Sequence, residues 1–128
     1  MSLIMYHDSN ATEEITNDNP DQIRESVPQG GSLEDITSLY LKSNNTDFEY
    51  ENVSLEKIEG QGNTIYVDYN DTADFSNIEV GSQETLDLDN GDYDTPIEFY
   101  RRVTVQDVTD AFKREDIEHR VNFDEYVK

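Results

Sequence analysis

The amino-acid sequence predicts an all-β protein whose strands form an antiparallel β-sandwich of roughly seven to eight strands. Across residues 33–128, apolar side chains alternate with polar ones, which is the period of strands that bury one face. Turn-forming residues interrupt this alternation about every 8–12 residues, a spacing typical of sandwiches and barrels. Before residue 105, no useful length of chain repeats its apolar residues with the helical period.

Residues 1–32 precede this domain and are predicted to form an N-terminal strand and an extended arm or loop. The segment 7–32 is rich in Asp, Asn, Thr and Glu, contains two prolines and a Gly30-Gly31 pair, and has no lasting periodicity. Such a composition buries little apolar surface and disfavours independent folding. We therefore expect regular structure to begin at Leu33, with residues 33–128 as the sandwich domain.

Within the domain, the apolar residues identify the strands in order. They are Leu39 and Leu41; Phe48, Tyr50, Val53 and Leu55; Ile65, Val67 and Tyr69; Phe75, Ile78 and Val80; and Leu86 and Leu88. The alternation changes phase at Glu51-Asn52, which predicts a β-bulge. Polar or glycine-containing turns at 43–47, 60–63, 70–71 and 89–92 separate the strands.

The C-terminal part contains the longest predicted strand, 97–105, and a closing strand. Ile117, His119, Val121 and Phe123 alternate with polar residues and indicate that closing strand. Between the two strands, residues 106–114 are predicted to form at most one short helix.

The charge of the chain is far from balanced, since 30 Asp and Glu against nine Lys and Arg give a formal net charge of −21. Repulsion among the carboxylates opposes a compact state. Three explanations compete: multimolar salt that screens the charge, mimicry of nucleic-acid phosphates, and disorder. Eight Tyr and five Phe within an organised apolar pattern argue against disorder for most of the chain. The acidic residues fall in turns and at outward strand positions, which favours a salt-adapted surface.

Composition also excludes several classes of protein. The chain has no Cys, so it forms neither disulfides nor thiolate metal sites. No apolar run approaches the roughly 18 residues of a membrane-spanning helix, and residues 1–6 lack the basic flank and the length of a signal peptide. Direct nucleic-acid binding needs Lys and Arg to neutralise phosphates, and there is no basic patch. We expect neither membrane nor nucleic-acid partners.

The sequence predicts no catalytic residue and no cofactor, and therefore a protein that is not an enzyme. General acid–base catalysis needs two carboxyl groups in contrasting environments, and no such pair is marked in the sequence. The two histidines are His7 and His119, and neither has a second imidazole at ligand spacing. His119 is in phase with apolar neighbours and is expected to be a half-buried packing residue.

The acidic segment 87–94 suggests metal binding, because oxygen-rich loops bind hard cations. Its spacing does not match an EF-hand: with Gly91 as the sharp-turn glycine, Leu86 would occupy the first ligand position. A solvated hairpin turn is the favoured interpretation, and no metal site is predicted. The weak candidates for metal ligands are Asp87, Asp89, Asp92 and Asp94, and adventitious binding of Ca²⁺ or Mg²⁺ there stays open.

Arg101 and Arg102 are adjacent positive charges inside the longest predicted strand. Because side chains alternate along a strand, one of the two faces inward unless a bulge intervenes. The first interpretation is an inter-strand ion pair with surrounding acids. The second makes both residues interface candidates that contact the acidic surface of a neighbouring subunit.

Four segments occur in a recognisable order. They are Gly31-Ser32; Leu39-Tyr40-Leu41-Lys42-Ser43-Asn44; Asn52-Val53-Ser54-Leu55; and, after Asn90-Gly91, Phe99-Tyr100-Arg101-Arg102-Val103-Thr104-Val105. Over about residues 1–105 this order resembles the small Ig-like β-sandwich structural proteins of tailed viruses, which are accessory modules of heads, necks, tails or baseplates. Gln106 stands where that pattern usually has a proline. The resemblance implies an Ig-like or jelly-roll-type sandwich without a catalytic site.

The sequence and the resemblance together predict a non-enzymatic virion structural protein that acts through protein–protein contacts at high salt. We expect a virion location, in a virus of a halophilic archaeon. The expected partners are other virion proteins and further copies of the chain, in a homo-oligomer or symmetric assembly. The alternative is an acidic DNA mimic that inhibits a host restriction or CRISPR-type defence enzyme. A glycosylated surface sandwich ranks last; it is suggested by sequons at Asn10, Asn44, Asn52 and Asn70.

Overall fold

A computed structural model describes residues 3–23, 28–58, 65–106 and 115–128, and these ranges are all-β, as the sequence predicts. Their nine strands are β1 (Leu3–Tyr6), β2 (Asp21–Ile23), β3 (Leu33–Ser43), β4 (Phe48–Lys57), β5 (Ile65–Asn70), β6 (Thr85–Asp87), β7 (Ile97–Val105), β8 (Glu115–Ile117) and β9 (His119–Val127). The described residues contain no helix long and apolar enough to cross a bilayer. The predicted turn at 60–63 and the predicted short helix, apart from residue 106, lie outside the described residues.

The strands form two larger sheets and one small one, all antiparallel. The four-stranded sheet has the order β1-β3-β7-β5, and the three-stranded sheet has the order β6-β4-β9. Strands β2 and β8 form a separate pair. From β3 to β7, each strand lies in the opposite large sheet from the strand before it. This alternation joins the two sheets around one core.

The core is built by the inward-facing residues that the period-two pattern identifies. Leu39 and Leu41 of β3, Leu55 of β4 and Val67 of β5 are fully buried. Tyr50 contacts Phe123 edge to face, with ring centroids 5.4 Å apart, which connects β4 to β9 through the core. The two large sheets therefore share one apolar interior, as expected for a sandwich.

The phase change at Glu51-Asn52 is a β-bulge, which confirms the sequence prediction. Glu51 pairs with Asp124 while Ser54 pairs with Asn122, so two residues of β4 face a single residue of β9. Asn52 has a φ of 52°, in the left-handed region that Asn tolerates better than most residues. The bulge restores the inward direction of the residues that follow it in β4.

The segment 75–80 differs from the prediction, because it forms turns where a strand was expected. The backbone amide of Ile78 donates to the carbonyl of Phe75 over 3.1 Å, which closes one of these turns. Phe75 itself is buried, with its ring 5.1 Å from the guanidinium carbon of Arg102 on β7. Phe75 thus covers a sheet instead of extending one, whereas Val80 is exposed.

The predicted N-terminal arm contains a turn that pairs with β1 and a short strand, β2, that pairs with β8. Residues 7–20 turn back so that Glu14 forms a bridge with Tyr6, at the outer edge of β1. The carboxylate of Asp8 accepts the backbone amides of Thr12 and Glu13, which holds this turn. Asp21 and Ile23 of β2 are buried, so regular structure begins well before Leu33. Contacts with distant strands order this polar segment.

Candidate functional site

The most unusual feature of the interior is a network of polar side chains around Asp21. The guanidinium of Arg101 donates from Nε to Asp21 Oδ2 over 2.8 Å and from its second terminal nitrogen to Asp21 Oδ1 over 2.6 Å. Its other terminal nitrogen donates to Asp35 Oδ2 over 2.6 Å and to the Asp35 carbonyl over 3.0 Å. The bidentate geometry with Asp21 is the strongest form of this pairing.

His119 and Tyr69 extend the network across the core. His119 Nε2 lies 2.7 Å from Asp21 Oδ2, and the Tyr69 hydroxyl lies 2.6 Å from His119 Nδ1. A carboxylate only accepts hydrogen bonds, so Nε2–H donates to Asp21; in that neutral tautomer Nδ1 accepts from the tyrosine hydroxyl. The sequence predicts His119 as a half-buried packing residue, and its side chain is in fact only 2% exposed and hydrogen-bonded at both nitrogens.

Burial and charge set the ionisation of these groups. Burial alone would raise the pKa of Asp21, but hydrogen bonds from His119 and Arg101 outweigh it and hold that pKa well below its usual range. Burial, reinforced by the charge of Asp21, raises the pKa of Tyr69 far above its usual value. Asp21 is therefore a stable carboxylate and Tyr69 a neutral phenol at ordinary pH.

The chain Tyr69–His119–Asp21 has the hydrogen-bonding order of a catalytic relay, in which an acid orients a histidine toward a hydroxyl. The terminal hydroxyl belongs to a tyrosine that is fully buried. A cleft of about 420 Å³ lies beside His119, but its lining includes neither Tyr69 nor Asp21. In this arrangement the network joins β2 to four other strands, and its solvent-accessible member is Asp35, whose side chain is 34% exposed.

Arg102 makes a second buried ion pair on the opposite face of β7. Its guanidinium donates to Asp68 Oδ2 over 2.8 Å and to the carbonyls of Phe75 and Ile78 over 3.2 and 3.0 Å. Asp68 also accepts the backbone amides of Gly81 and Gln83, each over 2.9 Å. The Arg102–Asp68 pair thus fastens the segment 75–83 onto the outer face of the sheet.

The two interface candidates of the sequence analysis therefore lie inside the protein. Arg101 is 1% exposed and Arg102 is 4% exposed, and both are ion-paired within the chain. Alternation along β7 sends them to opposite faces, and both faces are covered there. In the folded chain neither guanidinium reaches a neighbouring subunit, whereas the ion-pair interpretation matches their contacts.

The acidic segment 87–94 lies along a cleft of about 360 Å³ whose lining includes Asp87, Asp89 and Asp92. Lys128 Nζ lies 2.8 Å from Asp94 Oδ2 and 3.6 Å from Asp92 Oδ2, so one lysine of this protein offsets half the charge of these two carboxylates. Among the described residues, no group of three or more His, Asp or Glu is placed to hold a metal ion. The remaining histidine, His7, hydrogen-bonds to the carbonyl of Asn19 over 2.9 Å.

Two carboxylates central to this interior were missed by sequence reasoning. Asp21 lies in a segment whose composition predicts an arm, and Asp68 alternates with apolar residues as an outward-facing position would. The one usable signal was the pair Arg101-Arg102, because two adjacent cations within a buried strand require two nearby anions. Which two of the thirty acids supply them was not readable from spacing.

Comparisons with known proteins give no relative for this chain. No protein-family model matches it, and no curated protein or solved structure matches it significantly.

The low pKa of Asp21 predicts how stability depends on pH. The folded pKa lies below the unfolded value of about 3.9, so the unfolded chain binds the proton more readily. The stabilisation is therefore present above about pH 4 and is lost as the pH falls through the folded pKa. We expect urea unfolding to show that the free energy of unfolding falls less in Asp21→Asn than in the wild type between about pH 7 and pH 3. Equal losses would contradict this role of Asp21.

Proposed function

We propose that this protein is a non-enzymatic structural component of a virus particle and that it acts through protein–protein contacts at high salt. The observation that carries the proposal is the nine-residue strand β9, which is the edge of its sheet. Among the described residues, nothing pairs with its outer side. Long uncovered edge strands are rare in proteins that remain monomeric, because they invite pairing with another chain.

The charge distribution supports a salt-rich setting for those contacts. Of nine cationic side chains, Arg101 and Arg102 are used in the interior. The ratio of acidic to cationic side chains is therefore higher on the surface than in the chain as a whole. At about 1 M salt the Debye length is near 3 Å, so repulsion between two such surfaces is largely screened. Contacts between copies become favourable under those conditions.

The strand positions support the more specific type of fold. The segments that resemble tailed-virus sandwich modules lie in β3, β4 and β7, which are central to the two large sheets. We infer an Ig-like or jelly-roll-type sandwich that serves as an accessory module of a head, neck, tail or baseplate. In this role the buried ion pairs keep the module rigid while its surface makes the contacts.

Mass spectrometry of purified particles from the virus that carries this gene tests the proposal. We expect the chain in stoichiometric amounts, retained at high KCl. Absence from the particles would overturn the virion role. Salt-sensitive competition with DNA for a restriction or CRISPR-type enzyme would favour the DNA mimic instead, since such competition weakens steeply with added salt.

A further inference from the structure

The edges of the two large sheets differ in how they are protected. The outer side of β1 is occupied by residues 13–15: His7 donates to the Glu13 carbonyl and Ile15 to the Met5 carbonyl, each over 2.9 Å. The outer side of β5 is approached by residues 81–83, with Tyr69 donating to the Gln83 carbonyl over 2.9 Å. Strand β6 is only three residues long. Strand β9 is the long edge without such protection in the described part of the chain.

The pairing with β4 shows which residues of β9 have unused backbone groups. Ile58 donates to the Glu118 carbonyl over 3.1 Å, and Lys128 donates to the Asp47 carbonyl over 3.0 Å. Even-numbered residues therefore direct their amides and carbonyls to β4, and odd-numbered residues direct theirs outward. The outward groups belong to His119, Val121, Phe123, Glu125 and Val127, none of which is a proline.

We propose that β9 pairs antiparallel with β9 of a second copy of this chain, around a two-fold axis at Asn122. This inference rests on the assembly role proposed above, and it names β9 as the surface through which the copies bind one another. In this register Val121 faces Phe123 of the second copy, and both use their outward backbone groups. Arg120 faces Asp124 of the second copy on the solvent side, as a pair of opposite charges that is favourable across strands.

Neighbouring registers lack this complementarity. An axis at Asp124 places that carboxylate opposite its own copy, and like charges directly opposite one another are destabilising. An axis at Val121 places Glu118 opposite Asp124, again two acids. An axis at Phe123 places Arg120 opposite Tyr126 and pairs Glu118 with Lys128, whose ammonium already lies 2.8 Å from Asp94 within its own chain. The sequence of β9 is thus self-complementary about Asn122.

The charge of the chain makes this pairing dependent on salt. Each copy carries a net charge of −21, so two copies repel one another at low ionic strength. Salt screens this long-range repulsion, while the backbone hydrogen bonds and the contact of Val121 with Phe123 are affected far less. The pair should therefore form as KCl is raised, with Arg120 and Asp124 selecting the register.

Single cysteines test the register directly, because the natural chain contains none. Opposed residues of a non-hydrogen-bonded pair have Cα atoms about 4.5 Å apart, within disulfide range. Asn122→Cys should therefore give a disulfide-linked dimer under mild oxidation at high KCl. Tyr126→Cys is the matched control: this side chain is exposed on the same face, and in this register the two cysteines lie about 27 Å apart, beyond bridging distance.

Near-complete cross-linking of Asn122→Cys with background cross-linking of Tyr126→Cys supports the proposal. Equal yields for the two variants, or a higher yield for Tyr126→Cys, would overturn it. Circular dichroism of both variants verifies that they fold. A second pair of variants adds an independent check: Arg120→Glu should weaken association, and Arg120→Glu combined with Asp124→Arg should restore it.

Failure of this contact is distinguishable from failure of the virion role. If Asn122→Cys does not cross-link but particles contain the chain, assembly uses another surface and the β9 pairing is wrong. If Asn122→Cys cross-links but particles lack the chain, the pairing stands and the virion role is wrong.

Discussion

Replacing Asp21 by Asn is expected to lower the free energy of unfolding by about 3–5 kcal/mol, because it leaves a buried guanidinium without its main counter-ion. Asp21 is 3% exposed and receives hydrogen bonds from both Arg101 and His119. The neutral amide cannot accept all of these bonds and adds donors that have no acceptor in the network. Urea unfolding at constant KCl and neutral pH measures the loss.

Asp35→Asn is the matched control for this experiment. Asp35 also pairs with Arg101, at 2.6 Å, but its side chain is 34% exposed. Water solvates this carboxylate and screens the pair, so we expect a loss within about 1 kcal/mol. If the two variants lose similar stability, the buried pair with Asp21 is not the main attachment of β2.

Replacing Arg102 by Met is expected to cost about 3–5 kcal/mol as well, because Asp68 would remain as an uncompensated buried carboxylate. Met approximates the length of the side chain but removes its donors to the carbonyls of Phe75 and Ile78. Hydrogen exchange of the Gly81 and Gln83 amides gives a local measurement, since both donate to Asp68. We expect their protection to fall more than that of amides in β3.

Arg120→Met serves as the control for Arg102→Met when both are measured at a protein concentration low enough to keep the chain monomeric. Arg120 pairs with Glu56 over 3.1 Å at the surface, where its side chain is 57% exposed. Such exposed pairs contribute about 0–1 kcal/mol. The loss of stability for Arg102→Lys should lie between those of the two Met variants. One ammonium group cannot reproduce the planar guanidinium, which donates to Asp68 and to two carbonyls. A loss for Arg102→Met no greater than for Arg120→Met would show that this pair does not hold the segment.

The all-β fold was readable from sequence because each large sheet buries one face, so the apolar period of two is visible in the chain. The bulge was readable for the same reason, since an extra residue in β4 must shift the phase of the residues after it. Segment 75–80 was misassigned because Phe75 packs over the outside of the four-stranded sheet from within a turn, while Val80 is exposed. The spacing of apolar residues alone does not distinguish a strand from a turn that packs over a sheet.

The buried network was not readable, because it depends on contacts between residues far apart in sequence. Arg101 and Asp21 are 80 residues apart, and His119 and Asp21 are 98 apart. No local pattern around Asp21 marks it as buried, and its polar neighbours indicate the opposite. The alternation of apolar and polar residues placed Arg101 and Arg102 correctly within β7. It did not reveal that both faces of β7 are covered.

The buried ion pairs and the acidic surface have complementary roles in this account. Asp21–Arg101 and Asp68–Arg102 are shielded from solvent, so salt screens them far less than it screens the surface carboxylates. High salt therefore removes repulsion at the surface without removing the attachments of β2 and of segment 75–83. We therefore expect stability and association to increase together as the ionic strength rises.

Sedimentation velocity of the wild-type chain over a KCl series, with circular dichroism at each step, tests the central claim most directly. We expect a less folded monomer at low salt, and a folded β-protein that sediments as a dimer or larger assembly above about 1 M KCl. A chain that stays a fully folded monomer at every concentration would contradict a structural role built on salt-dependent contacts between copies.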